Sequence, residues 1–97
     1  MKINKVNDLL ARHKLLCDKA RLLMQDKNHD YADSSDPFSN FRSFGALGIL
    51  VRLSDKLARL RSYESKGELR VKSESLEDTV IDVINYVVLY MVYKEQA

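Results

Sequence analysis

Two aspartates and an asparagine stand at helical spacing in the C-terminal third of this 97-residue chain. Asp78, Asp82 and Asn85 are separated by four and three residues, so a helix would place them along one face. The neighbouring positions are mostly Val, Ile, Leu and Met, which is typical of a buried helix. Because a buried carboxylate needs a partner to stay ionised, we expect a divalent cation or basic groups against this face. The alternative is that these residues form the solvated edge of the helix.

A basic face precedes this acidic one in the sequence. Arg52, Lys56 and Arg59 recur at positions i, i+4 and i+7, with Asp55 among them. Arginine and lysine bind phosphate oxygens strongly when they are partly desolvated, so this face predicts a phosphate-binding surface. The alternative is a solvated helix face that is held by an internal Asp55–Arg59 ion pair.

Residues 28–44 combine turn-forming residues with aromatic side chains. Pure linkers lack such anchors, so we expect an ordered loop that its rings attach to the helices. An aromatic ring such as Tyr31 or Phe41 could stack on a nucleobase. The alternative is that the rings only hold the loop in place.

Length and composition limit the class of protein. The length of the chain predicts that residues 1–97 form a single domain. A chain this short buries about two-thirds of its unfolded surface at best. We therefore expect a homo-oligomer, a dimer or larger. Sixteen basic and fourteen acidic residues are too nearly balanced for a general nucleic-acid-binding protein. A single cysteine, charged residues near the start and apolar runs well below about 18 residues predict a cytoplasmic protein without a membrane span.

The hydrophobic periodicity predicts an all-α fold with three main helices, at residues 4–27, 45–65 and 74–95, around the ordered loop 28–44. Gly67 is a typical C-terminal cap for the second helix, and Ser73 or Ser75 suits the start of the third. Ser75 with Asp78 resembles a capping box, which gives Asp78 a structural alternative to a role in a site. We expect the helices to assemble as an oligomeric helical bundle.

Four short motifs, taken in order, resemble those of a known family. They are Lys27-Asn28-His29-Asp30-Tyr31, Asp36-Pro37-Phe38-Ser39-Asn40-Phe41, the Arg52, Asp55-Lys56 and Arg59 set, and Glu77-Asp78 with Ile81-Asp82-Val83-Ile84-Asn85-Tyr86. The set is similar to the phage and prophage family called nucleotide modification associated domain, type 1. That family looks like a relative of the all-α nucleoside triphosphate pyrophosphatases, the MazG-like and dimeric dUTPase group. Those enzymes hold Mg²⁺ between acidic motifs on two helices and cleave the α–β phosphoanhydride of a nucleotide.

The resemblance implies Mg²⁺-dependent hydrolysis of a (deoxy)nucleoside triphosphate to monophosphate and pyrophosphate in an infected or lysogenic bacterial host. The implied catalytic residues are Asp55, Asp78 and Asp82, and the implied metal ligands are these three together with Glu77. The implied nucleotide-binding residues are Asn28, Asp30, Tyr31, Phe41, Arg52, Lys56, Arg59 and Asn85.

The acidic motifs depart from the MazG-like pattern, which has E-x-x-E on one helix and E-x-x-D on the next. Asp82 matches the final aspartate, but Thr79 stands where the preceding glutamate would be, and the second helix offers mainly Asp55. A Mg²⁺ site can work with one or two carboxylates, whereas a two-metal site would be hard to build. The extra cations suit an alternative function without catalysis. In it, the protein sequesters a nucleotide or a cyclic-nucleotide defence signal as an anti-defence sponge.

Overall fold

The computed structural model describes residues 5–31, 44–67 and 75–96, and for residues 28–31 it describes the backbone alone. Within these ranges the chain forms three helices and no strand: α1 is Val6–Tyr31, α2 is Gly45–Lys66 and α3 is Leu76–Glu95. The predicted all-α fold with three main helices is confirmed. Most of the predicted ordered loop, 28–44, lies outside the described residues. None of the helices in the described ranges has the length and hydropathy needed to cross a bilayer.

The first helix continues to Tyr31, beyond the end at residue 27 that the sequence predicted. Asn28 and Asp30 favour turns, but their preference against a helix is at most about 0.7 kcal/mol each. No glycine or proline occurs between Val6 and Tyr31 to stop the helix. The Lys27–Tyr31 motif therefore belongs to the last turns of α1 rather than to a loop.

Local caps define the facing ends of α2 and α3. Gly67 follows α2 with a φ of 76°, a left-handed conformation that glycine adopts without strain, and its N–H donates to the Tyr63 carbonyl. Before α3, the Ser75 hydroxyl accepts the Asp78 N–H at 3.0 Å, and the Asp78 carboxylate accepts the Ser75 N–H at 2.9 Å. This reciprocal pair is a complete capping box. The hydrogen bond from the Ser75 N–H lowers the pKa of Asp78.

Replacing Ser75 by Ala is expected to lower the free energy of unfolding by about 1 kcal/mol, because the Asp78 N–H loses its acceptor. In a domain of this size the melting temperature should fall by roughly 4–8 °C, which circular dichroism can measure. Ser65→Ala is a matched control, since this exposed serine donates to carbonyl groups in the last turn of α2. It should stay within about 0.5 kcal/mol of the wild type. Equal melting temperatures for Ser75→Ala and the wild type would contradict the capping role.

The third helix is the element on which the other two pack. Lys56 contacts Asp82, and Gly45, near the start of α2, lies beside the Tyr93 hydroxyl near the end of α3. The helices α2 and α3 are therefore antiparallel, while α1 packs on α3 from another side. The buried residues in the described ranges are few, with one from α1, one from α2 and two from α3: Ala20, Ile49, Thr79 and Ile81.

Candidate functional site

Each of the three helices contributes a charged side chain to one cluster. The Asp82 carboxylate on α3 lies 3.0 Å from the Lys56 ammonium on α2 and 3.5 Å from the Lys27 ammonium on α1. We call Lys27, Lys56 and Asp82 the lysine–aspartate cluster. The Asp82 and Lys56 side chains are 15% and 18% exposed, whereas that of Lys27 is 52% exposed. The cluster therefore has an inner ion pair and an outer cation that solutes can reach.

The inner pair is a close ion pair, with 3.0 Å between the Lys56 nitrogen and the Asp82 oxygen. The Lys27 ammonium lies further away and donates a long hydrogen bond to Asp82, at 3.5 Å. Lysine suits this position because its aliphatic stem can pack between helices while its ammonium group meets the carboxylate. The Asp82 carboxylate thus holds two ammonium groups near one point.

The surroundings of the cluster on α2 are cationic. Arg52 is one turn before Lys56 and Arg59 is about one turn after it, so the three share a side of the helix. Arg59 is half-buried, whereas Arg52 and Asp55 are exposed. On this side of α2 the basic residues Arg52, Lys56 and Arg59 outnumber the acidic residue Asp55. A predominance of basic groups favours an anionic ligand.

Two of the other predicted acidic residues, Glu77 and Asp78, have separate partners. The Glu77 carboxylate lies 2.9 Å from the Arg12 guanidinium and 3.0 Å from the Lys19 ammonium, both of which belong to α1. Asp78 closes the capping box of α3. Across residues 5–27, 44–67 and 75–96, no group of three or more His, Cys, Asp or Glu side chains is arranged to hold a metal ion. That Asp55, Glu77, Asp78 and Asp82 bind Mg²⁺ stays a prediction.

Of the predicted nucleotide-binding residues outside α2, Asn85 is the one whose side chain the structure describes. The Asn85 amide donates to the Ala20 carbonyl at 3.0 Å, so it holds α1 against α3. Only the backbone is described for Asn28, Asp30 and Tyr31, and Phe41 lies outside the described residues.

Of the predicted site residues, Lys56 and Asp82 come into direct contact, and the structure adds Lys27 to them. Lys27 was not among the predicted site residues, although it begins the Lys27–Tyr31 motif. Arg12 and Lys19 were also missed, because their helical positions alone do not indicate a partner on α3.

The two cations around Glu77 predict an acid-sensitive link between α1 and α3. The hydrogen bond from Lys19 and then that from Arg12 lower the pKa of Glu77 in the folded protein. The stabilisation by Glu77 is therefore present above the pKa of the unfolded chain, and it is lost as the pH falls through the lower folded pKa. Glu77→Gln should melt below the wild type at neutral pH, and the difference should shrink in acid.

Melting curves of the wild type and Glu77→Gln across the acid range measure this effect. Lys19→Met and the Lys19→Met/Glu77→Gln double variant complete a double-mutant cycle. The destabilisation of the double variant should differ from the sum of the two single destabilisations, because both single variants break the same contact. A difference between Glu77→Gln and the wild type that stays constant down to strongly acidic pH would contradict the assignment.

A comparison with known protein families supports the resemblance in the sequence motifs. The family model described as nucleotide modification associated domain 1 matches residues 27–93, which is more than half of the chain. The matched range includes Lys27, Lys56 and Asp82. Searches among curated proteins and among solved structures gave no match. The chain belongs to the nucleotide modification associated domain 1 family.

Proposed function

We propose that this protein binds a nucleotide through its phosphate groups at the lysine–aspartate cluster. The observation that carries the proposal is that one carboxylate, Asp82, joins ammonium groups from two other helices. Two positive charges and one negative charge leave the cluster cationic, so an added phosphate is attracted to it. Phosphate oxygens accept charge-assisted hydrogen bonds from ammonium groups at about 2.7–2.9 Å. Asp82 acts as the positioning residue that keeps Lys27 and Lys56 converged before the ligand binds.

A small nucleotide fits these features better than a nucleic acid does. The whole chain has a net charge of only +2, whereas nucleic-acid-binding domains carry a larger basic excess. The cations form a compact group, to which Arg52 and Arg59 add charge on either side of Lys56. The family description, which associates the domain with nucleotide modification, is compatible with such a ligand.

Calorimetric titration of the wild type with a nucleoside and with its mono-, di- and triphosphate, in EDTA, tests the proposal. Affinity should rise with the number of phosphates and should fall as salt is added, because the interaction is between charges. The free nucleoside should show little binding. Equal affinities for the nucleoside and the triphosphate would contradict phosphate recognition at the cluster.

We propose hydrolysis of the bound triphosphate to monophosphate and pyrophosphate as a second candidate. It is favoured by the position of Asp82, which is a mostly buried carboxylate beside the lysines that would hold the phosphates. Chromatography after incubation with Mg²⁺ and a panel of deoxynucleoside triphosphates would detect the monophosphate. Unchanged ligand released by heat denaturation would instead support sequestration. Binding and unchanged release of a cyclic nucleotide from the same panel would support a role as an anti-defence sponge in phage infection.

A further inference from the structure

The helices α1 and α3 are joined by polar contacts of two kinds. Ion pairs connect basic side chains of α1 with Glu77 and Asp82 on α3. A contact of a different kind joins uncharged groups: the Asn85 amide on α3 donates to the Ala20 carbonyl on α1 at 3.0 Å. In a helix this carbonyl oxygen already accepts the N–H four residues on, and its second lone pair accepts the Asn85 amide. The contact therefore holds the backbone of α1, which cannot rotate away as a side chain can.

The ion pairs allow α1 to shift along α3. Lysine and arginine have long side chains with several rotatable bonds, and those of Arg12, Lys19 and Lys27 are 32%, 44% and 52% exposed. Exposed pairs of this kind contribute little stability and can follow a small movement of the helix. The Asn85 amide has a short side chain and a directional hydrogen bond, which the same movement would lengthen or bend. Among these contacts it restricts the axial position of α1 most.

Ala20 allows the two helices to approach closely at this point. It is 1% exposed, and among the residues whose side chains the structure describes it is the buried residue of α1. The distance between packed helices depends on the side chains at their contact, so a larger residue would move α1 away from α3. The Asn85 amide would then no longer reach the backbone oxygen. Ala20 and Asn85 thus form one contact that requires both residue types.

We infer that Asn85 is a positioning residue for Lys27. Ala20 and Lys27 are seven residues apart, close to two helical turns, so both lie on the side of α1 that faces α3. The Asn85 contact fixes the backbone about 10 Å of helical rise before Lys27, and it thereby sets where the Lys27 ammonium meets Asp82. This role differs from the nucleotide contact that the resemblance implies for Asn85. Its effect on nucleotide affinity rests on the proposed function, whereas its effect on the position of Lys27 does not.

Cross-linking of the full chain with a water-soluble carbodiimide tests the position of Lys27 without a nucleotide. The reagent joins an amine to a carboxylate that it contacts, as an amide, and peptide mapping by mass spectrometry identifies the joined residues. The wild type should give both a Lys27–Asp82 and a Lys56–Asp82 product. Because the two lysines compete for one carboxylate, the ratio of the first product to the second reports the position of Lys27.

Two variants break the contact from its two sides. Asn85→Leu removes the donor at similar size, and Ala20→Val separates the helices while Asn85 is kept. Both should lower the product ratio several-fold. The Lys19–Glu77 product should persist in both variants, because that ion pair can follow a shift of α1. Circular dichroism checks that both variants remain helical.

Nucleoside triphosphate binding, measured by calorimetric titration in EDTA, tests the consequence for the proposed site. Asn85→Leu should weaken binding by roughly three- to tenfold, and by no more than Lys27→Met does. In the Lys27→Met background it should change the affinity by less than about twofold, since the lysine that it positions is gone. Lys19→Met is the matched control, because it breaks another contact between α1 and α3, and it should stay within about twofold of the wild type.

A product ratio that stays at the wild-type value in both Asn85→Leu and Ala20→Val would overturn the inference. So would Asn85→Leu weakening triphosphate binding equally with and without Lys27, which would indicate that Asn85 contacts the nucleotide itself. An equal fall of the ratio in Lys19→Met would assign the position of α1 to the ion pairs instead. If the wild type binds no triphosphate, the proposed function fails, and the product ratios still decide the role of Asn85.

Discussion

Replacing Lys56 by Met is expected to weaken nucleoside triphosphate binding by roughly 10- to 100-fold. A hydrogen bond to a charged group contributes about 1.5–3 kcal/mol, and each 1.4 kcal/mol corresponds to a tenfold change in affinity. Lys56 is mostly buried and holds the inner ion pair with Asp82. Methionine retains much of the apolar volume of the lysine stem, so the main loss is the ammonium group. Calorimetric titration in EDTA measures the change.

Lys66→Met provides the matched control, because Lys66 is an exposed lysine at the end of the same helix. The control removes the same charge from the chain and should leave the affinity nearly unchanged. Lys27→Met should also weaken binding, by a smaller factor, because the more exposed ammonium of Lys27 is better hydrated and more screened. Equal affinities for Lys56→Met and Lys66→Met would exclude the cluster as the phosphate site.

Replacing Ile49 by Ala should lower the free energy of unfolding by about 2–4 kcal/mol, more than the Ser75→Ala substitution does. Ile49 is 0% exposed and lies in α2 where that helix packs on α3. The truncation removes buried methyl groups and leaves a cavity in a small core. Because small domains have only about 5–15 kcal/mol of stability in total, the melting temperature should fall by roughly 10 °C or more.

Thermal unfolding at one fixed protein concentration measures this loss, since an assembly would make melting concentration-dependent. Leu22→Ala is the control, because Leu22 is largely exposed on α1 and should change stability by no more than about 0.5 kcal/mol. If Ile49→Ala and Leu22→Ala melted at the same temperature, Ile49 would not be a core residue.

The helices were predictable because their signals are local. Hydrophobic periodicity gave three helices, Gly67 marked the end of α2, and Ser75 marked the start of α3. The end of α1 was less predictable, since Asn28 and Asp30 favour turns but are followed by no glycine or proline close enough to stop the helix. Where no strong breaker is present, weak propensities do not fix the end of a helix.

The candidate site was predictable only in part. Helical spacing correctly places Lys56 on one face of α2 and Asp82 on one face of α3, where the two meet. The spacing of residues gives no information on the axial position of α1 along α3. That position brings Lys27 to Asp82, and it brings Arg12 and Lys19 to Glu77.

The predicted acidic residues Glu77 and Asp78 have partners other than those of Asp82, for two different physical reasons. The capping box satisfies Asp78 within its own helix, whereas Glu77 is paired by cations that are remote in sequence. A pattern of acidic residues therefore shows which side chains share a face, but it does not show which other charges neutralise them.

A crystal structure with a non-hydrolysable nucleoside triphosphate analogue, grown in EDTA, would test directly whether the lysine–aspartate cluster binds phosphate. We expect a phosphate oxygen within about 3 Å of the Lys56 ammonium, with the Lys27 ammonium turned towards the same phosphate. A nucleotide bound elsewhere, with the contacts of Asp82 to Lys27 and Lys56 undisturbed, would contradict it.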